Sequence, residues 1–158
     1  MANTDIGAEQ GGGPQSTLGV DMALEVVTLP VSDVDRAKGF YESLGWRFDI
    51  DLVVSDEMRT VQFTPPHSPC SIQFGKGGTA AEPGSAAGLI LVVKDIDAAR
   101  DDLVGRGVEV SEVEEARPPG FDQGGRSYFA RASFSDPDGN RWQLQEITTR
   151  LPGREWED

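Results

Sequence analysis

The chain contains the same short pattern twice, 62 residues apart, and this repeat limits its possible folds more than any other feature. Residues 31–35 read V-S-D-V-D, and residues 93–97 read V-K-D-I-D. The same offset brings Gly45 onto Gly107. Each copy has an apolar run, then a side-chain oxygen suited to cap a helix, then apolar residues at helical spacing. The repeat therefore predicts an internal duplication, with two copies of one small module.

Hydrophobic periodicity after each helix predicts three further strands in each copy, so that each module is β-α-β-β-β. Gly45 stands where a left-handed C-terminal cap is expected for the first helix. The D-P-D-G-N sequence at 136–140 predicts a turn before the last strand. The predicted elements are, in chain order, a strand at 24–31, a helix from Val34, strands at 47–54, 57–64 and 70–74, a strand from 88, a helix at 96–106, and strands at 108–113, 127–135 and 141–147.

The length of 158 residues suits one compact unit made of the two modules. We expect a domain over 22–148, built from modules at 22–75 and 88–148. The linker at 76–87 is rich in glycine and alanine. Residues 1–21 are predicted to be a disordered N-terminal tail, because they are polar and glycine-rich. Residues 149–158 form a C-terminal tail.

The charge and the cysteine content exclude several classes of partner. Lys and Arg number 14 against 27 Asp and Glu, a net charge of −13. This charge repels phosphate backbones and anionic lipid surfaces, so neither nucleic acid nor a membrane is an expected partner. The single cysteine cannot form an intrachain disulfide and fits a reducing compartment. No apolar run reaches membrane-spanning length, and we expect a cytoplasmic protein.

Three stretches of the chain resemble the vicinal oxygen chelate superfamily, which includes glyoxalase I, bleomycin-resistance proteins and extradiol dioxygenases. They are V-T-L-P-V-S-D-V-D-R-A-K-G-F-Y at 27–41, its repeat at 92–100, and F-S-D-P-D-G-N-R-W-Q-L-Q-E at 134–146. The resemblance implies an α+β fold, in which two tandem β-α-β-β-β modules form an open, cavity-bearing, barrel-like sheet. It also implies a homodimer.

Members of this superfamily that use a metal place its ligands at four recurring positions on the first and fourth strands of each module. The resemblance puts these positions on Val26, Gln73, Gly88 and Gln143. Valine and glycine side chains offer no donor, and neutral amides bind divalent cations less well than carboxylates or imidazoles. We therefore expect no metal and no other cofactor. His67, the sole histidine, lies in a proline-rich turn and is interpreted as a turn residue.

Strand alternation places Val26 with Thr28 on one face, and Gln143 on the face opposite Trp142. The apolar faces are expected to pack on the helices, and the other faces to line the cavity. The loop at 114–126 makes the second module longer than the first, and such loops often contact ligands. An equally open alternative is that this loop only covers a dimer interface. The candidate ligand-binding residues are Thr28, Gln73, Phe121, Tyr128 and Gln143, the two aromatic ones for stacking on a flat ligand.

These observations favour a metal-independent protein that binds an apolar or aromatic small molecule in the sheet cavity, as bleomycin-resistance-type proteins do. The alternative is a metal-dependent lyase, isomerase or dioxygenase of the same superfamily, with its ligands at shifted positions. A third hypothesis is a small interaction protein whose cavity is vestigial. No catalytic residue is predicted, and enzymatic activity stays an open question.

Overall fold

The computed structural model describes residues 19–119 and 125–151, together with Glu9, Gly11, Arg154 and Trp156. The first module contains β1 (Val26–Thr28), α1 (Val34–Ser43), β2 (Arg47–Ser55), β3 (Met58–Thr64) and β4 (Ser71–Lys76). The second contains β5 (Leu89–Val93), α2 (Ile96–Gly105), β6 (Glu114–Glu115), β7 (Ala130–Ser135) and β8 (Arg141–Glu146).

Each module forms a four-stranded sheet with the same topology. The strand orders are β1-β4-β3-β2 and β5-β8-β7-β6. In each module, the first strand in the chain pairs in parallel with the last one, so β1 pairs with β4 and β5 with β8. The other pairs are antiparallel. The predicted α+β class and the two tandem β-α-β-β-β modules are confirmed. The two sheets are separate and do not close into a barrel, which agrees with the open arrangement expected.

Both helices begin at the aspartates that the repeat indicated. The Asp33 carboxylate accepts a hydrogen bond from the backbone N–H of Arg36 at 3.0 Å. In the second module, the Asp95 carboxylate accepts one from the N–H of Ala98 at 3.0 Å. Each contact satisfies a donor that the first helical turn leaves free, and such a cap typically contributes ~1 kcal/mol. Gly45 has a φ of 76°, the left-handed conformation expected after α1.

Two strands predicted in the second module were misplaced. The strand expected at 108–113 is wrong: Ser111 donates a backbone hydrogen bond to Ser133 of β7, but the carbonyl oxygens of Val110 and Ser111 accept from the Arg100 side chain of α2. The strand that pairs with β7 consists of Glu114 and Glu115, the first residues of the segment predicted as a loop. The strand expected from Ser127 begins only at Ala130, since Tyr128 has a φ of 69° that interrupts extended backbone.

The helix-bearing faces of the two sheets meet in one hydrophobic core. Tyr41 of α1 is fully buried, and its ring lies 6.3 Å from that of Trp142 in β8. Trp46 meets the same Trp142 ring edge to face at 5.1 Å, and Phe40 lies 6.5 Å from Phe134 of β7. Since one face of each sheet packs on this common core, the opposite faces both point away from it.

Within the described part of the chain, no helix is long and apolar enough to cross a membrane. The tail predicted at 1–21 falls largely outside the described residues.

Candidate functional site

The sheet face opposite the helix is called here the open face. On β4, Ile72 and Phe74 are buried against α1, so Ser71 and Gln73 belong to the open face. Cross-strand pairing extends this face to Thr28 on β1 and Gln62 on β3, which flank Gln73 in register. The open face of the first sheet is therefore rich in amides and hydroxyls.

Thr28 and Gln73, both predicted as ligand-binding residues, are direct neighbours on this face. The Gln73 side-chain amide donates a hydrogen bond to the Thr28 hydroxyl at 2.9 Å. Both side chains are half-buried. The Gln73 side-chain oxygen, Oε1, has no hydrogen-bond partner among the described residues, which leaves one oriented acceptor for a ligand.

A β-bulge in β2 brings apolar side chains onto the same face. The pairing of β2 with β3 shifts between Phe48 and Ile50, so that Ile50 lies opposite Gln62 and Leu52 opposite Thr60. Without the shift, strand alternation would place Ile50 on the helix side. Ile50 and Leu52 are 44% and 49% exposed, and Met58 of β3 is 47% exposed. The polar row through Gln73 is thus bordered by accessible apolar side chains.

Asp49 occupies the bulge and is the charged residue that sequence reasoning missed at this face. Its carboxylate accepts hydrogen bonds from the Thr64 hydroxyl, from Gln62 Nε2 at 3.2 Å and from Arg47 Nε at 2.6 Å. Partial burial opposes its ionisation, but the hydrogen bonds from Thr64, Arg47 and Gln62 outweigh burial and lower the pKa of the Asp49 carboxyl. No signal in the sequence marks this residue, because its position depends on the bulge.

The second sheet carries Gln143 on its open face. Ile90 of β5 and Ser133 of β7 flank Gln143 in register, and Ile90 is 54% exposed. Gln145, two residues further along β8, donates through Nε2 to the backbone oxygen of Tyr128 at 2.8 Å. Each open face therefore combines amides with at least one accessible apolar side chain.

The five candidate residues do not form one cluster. Thr28 and Gln73 are in contact on the first sheet, whereas Gln143 lies on the second. Tyr128 lies beside β8, where its hydroxyl accepts a hydrogen bond from the backbone N–H of Leu151 at 3.0 Å. Phe121 lies outside the described residues.

The positions that the resemblance assigns to metal ligands carry a poor donor set. Val26 of β1 lies opposite Ser71 of β4, and Ser71 is two residues before Gln73 on that strand. Gly88 precedes β5 with a φ of 76°. Together with Gln73 and Gln143, these positions offer two amide groups and neither imidazole nor carboxylate. Over the part of the chain that the structure describes, no group of three or more His, Cys, Asp or Glu side chains is placed to hold a metal ion.

Two β-α-β-β-β modules in tandem, each with an open sheet face, define the glyoxalase-like class of α+β proteins. Residues 23–144 match the Glyoxalase/Bleomycin resistance protein/Dioxygenase superfamily, and the chain belongs to this superfamily.

Solved structures of related proteins cover most of the chain. The antibiotic-binding protein TnmS3 from Streptomyces sp. CB03234 is 30% identical, with a TM-score of 0.66 over 82% of this chain and 98% of that one. A superfamily member from Sphaerobacter thermophilus DSM 20745 is also 30% identical, with a TM-score of 0.64 over 80% of this chain and 98% of that one. A glyoxalase/bleomycin resistance protein from Streptomyces sp. CB03234 is 31% identical, with a TM-score of 0.61 over 78% of this chain and 99% of that one. Comparison with curated proteins gave no match.

Proposed function

We propose that this protein binds an apolar or aromatic small molecule on its open sheet faces, without a metal, and sequesters it in the cytoplasm. The observation that carries the proposal is the composition of the first open face. The Gln73 amide, oriented by Thr28, lies in a sheet face bordered by the exposed side chains of Ile50, Leu52 and Met58. Accessible apolar side chains beside oriented polar groups are typical of small-molecule sites.

The similarity to TnmS3 supports the binding of a small molecule. That protein is described as antibiotic-binding, and nearly its whole length aligns with this chain at 30% identity. Family membership alone does not decide the function, because the fold carries many chemistries. Binding by this chain therefore rests on the accessible apolar groups of its own open faces.

Metal independence is supported by the identity of the four ligand positions. Val26 and Gly88 have no donor atoms in their side chains, and Gln73 and Gln143 offer only neutral amide oxygens. A divalent ion gives up bound water only for a full set of well-placed oxygen or nitrogen ligands. These residues do not fit a metal, and the proposed function includes no metal-assisted step.

A second copy of the chain is part of the proposal. Because both open faces point away from the shared core, neither covers the other within one chain. The edge strand β2 also exposes Val53 and Val54, at 64% and 63%. Accessible apolar side chains on an unpaired edge strand mark an interaction surface. A homodimer would cover this edge and enclose the open faces as cavities.

The neutral fluorescent probe phenylnaphthylamine tests the binding proposal. Its emission rises on transfer to an apolar site, and titration should show saturable binding at micromolar concentrations. Ile50→Asp should weaken this binding at least about tenfold, because a charge then replaces an apolar contact. Val104→Asp is the matched control, since Val104 is 46% exposed on α2, away from both open faces. Absent binding, or equal losses in both variants, would contradict the proposal.

A further inference from the structure

A groove of about 680 Å³ lies between the turn at residues 65–69, strand β5 and the C-terminal segment. Ile90 and Val92 contribute apolar side chains to its wall. The C-terminal segment contributes Arg150, Arg154 and Trp156. Because Ile90 lies beside Gln143 in register, this groove adjoins the open face of the second sheet.

The described residues that line the groove carry positive charge in a strongly acidic protein. The chain carries a net charge of −13, yet none of the described residues that line the groove is an Asp or Glu. Lys94 adds a third cation near the two arginines, with Nζ 4.9 Å from the ring centroid of Trp156. Concentrated positive charge against such a background attracts an anion to this position.

The Arg150 side chain is held in place by stacking, and its Nε atom has no hydrogen-bond partner among the described residues. Its guanidinium carbon lies 4.6 Å from the ring centroid of Trp156, whose indole N–H donates to the carbonyl oxygen of Ile147 at 3.2 Å. The Nε atom of Arg150 is buried and forms no hydrogen bond within the described residues. Buried donors are almost always paired in native proteins, and an unpaired one is costly. A guanidinium fixed by stacking and short of an acceptor is well suited to bind an oxyanion.

We infer that the ligand of this protein is an anion with an apolar body, such as an aromatic carboxylate or sulfonate. Its charged group binds Arg150 and Arg154, and its apolar part contacts Ile90 and Val92. This inference rests on the proposed function, which includes both open faces, and specifies the chemical class of the ligand at the open face of the second sheet.

Two probes with the same ring system separate the inference from the proposed function. Anilinonaphthalene sulfonate carries a sulfonate that phenylnaphthylamine lacks. The intact chain should bind the sulfonate probe about tenfold more tightly than the neutral one, although the net charge of −13 opposes this preference. Arg150→Gln should weaken binding of the sulfonate probe much more than binding of the neutral probe, and so remove most of the preference.

Two control variants test whether the preference for the sulfonate probe depends on the Arg150 charge and on its position. Arg150→Lys keeps the charge and should keep part of the preference. Lys76→Gln removes an exposed cation on the other sheet and should change neither affinity. Equal affinities for the two probes, or a preference that survives Arg150→Gln, would overturn the inference while the proposed function stands. Failure of the neutral probe to bind would instead count against the proposed function.

Discussion

The hydroxyl of Tyr41 on α1 donates a 2.9 Å hydrogen bond to the carboxylate of Asp136, in the turn before β8. Both side chains are buried, and Trp142 Nε1 donates to the same hydroxyl at 3.0 Å. Asn140 Nδ2 also donates to the Asp136 carboxylate, at 2.8 Å. This network joins the first module to the second, so the turn motif of the last strand has a structural role in holding the two modules together.

Tyr41→Phe should destabilise the fold by about 1–3 kcal/mol, because it keeps the ring, leaves the buried Trp142 Nε1 without its acceptor and removes one of the donors to the Asp136 carboxylate. Burial, followed by the nearby Asp136 charge, raises the pKa of the Tyr41 hydroxyl far above its usual value, so it stays a donor at all working pH values. Urea denaturation measures the effect. Tyr128→Phe, which removes a hydroxyl near the C-terminal segment, should cost no more than about 0.5 kcal/mol. Equal losses in the two variants would contradict this role for Tyr41.

Asp51 should make stability depend on pH in the acid range. Arg59 binds its carboxylate through two nitrogens at 2.9 and 2.8 Å, and Lys38 lies at 3.1 Å. The Arg59 hydrogen bonds lower the pKa of Asp51 despite the opposing effect of burial, and Lys38 lowers it further. A depressed folded-state pKa adds stability above the unfolded value of about 4, and this stability is lost as the pH falls below that value.

The stability difference between the unmodified chain and Asp51→Asn should therefore be larger at about pH 6 than at about pH 3. Denaturant titrations at the two pH values measure it. Asp56→Asn, at an exposed position between β2 and β3, should show the same small effect at both. A difference for Asp51→Asn that does not shrink in acid would rule out this ion pair as a source of acid sensitivity.

Light scattering at micromolar concentration should find particles of twice the 17.0 kDa chain mass. Val54→Lys should shift the particles towards the monomer, since it places a charge on the exposed apolar edge of β2. Val104→Lys, at a comparably exposed apolar position on α2, should leave the mass unchanged. A monomeric unmodified chain would refute the dimer.

The features that sequence could predict are those encoded locally. The 62-residue repeat, the aspartate caps and the glycine after α1 depend on neighbouring residues and were found where expected. The face shared by Thr28 and Gln73 followed from strand alternation, given the correspondence with a known family.

Features that depend on contacts between residues far apart in the chain could not be predicted from the sequence. The bulge that exposes Ile50 and brings Asp49 onto the open face arises from the register between β2 and β3, which no local pattern records. Tyr41 and Asp136 are 95 residues apart in sequence. The strand at 108–113 failed because Arg100 binds carbonyl oxygens that a sheet partner would otherwise use. The stacking of Arg150 on Trp156 likewise has no periodicity to reveal it.

Titration of phenylnaphthylamine before and after EDTA treatment, with metal analysis of the same sample, tests metal-independent binding most directly. The protein is purified without chelator, so that any resident metal is retained. We predict one dissociation constant for both samples and no stoichiometric divalent metal, because Val26, Gln73, Gly88 and Gln143 offer too few donors. One metal ion per chain, with probe binding lost in EDTA and restored by Zn²⁺, Ni²⁺ or Mn²⁺, would contradict the account.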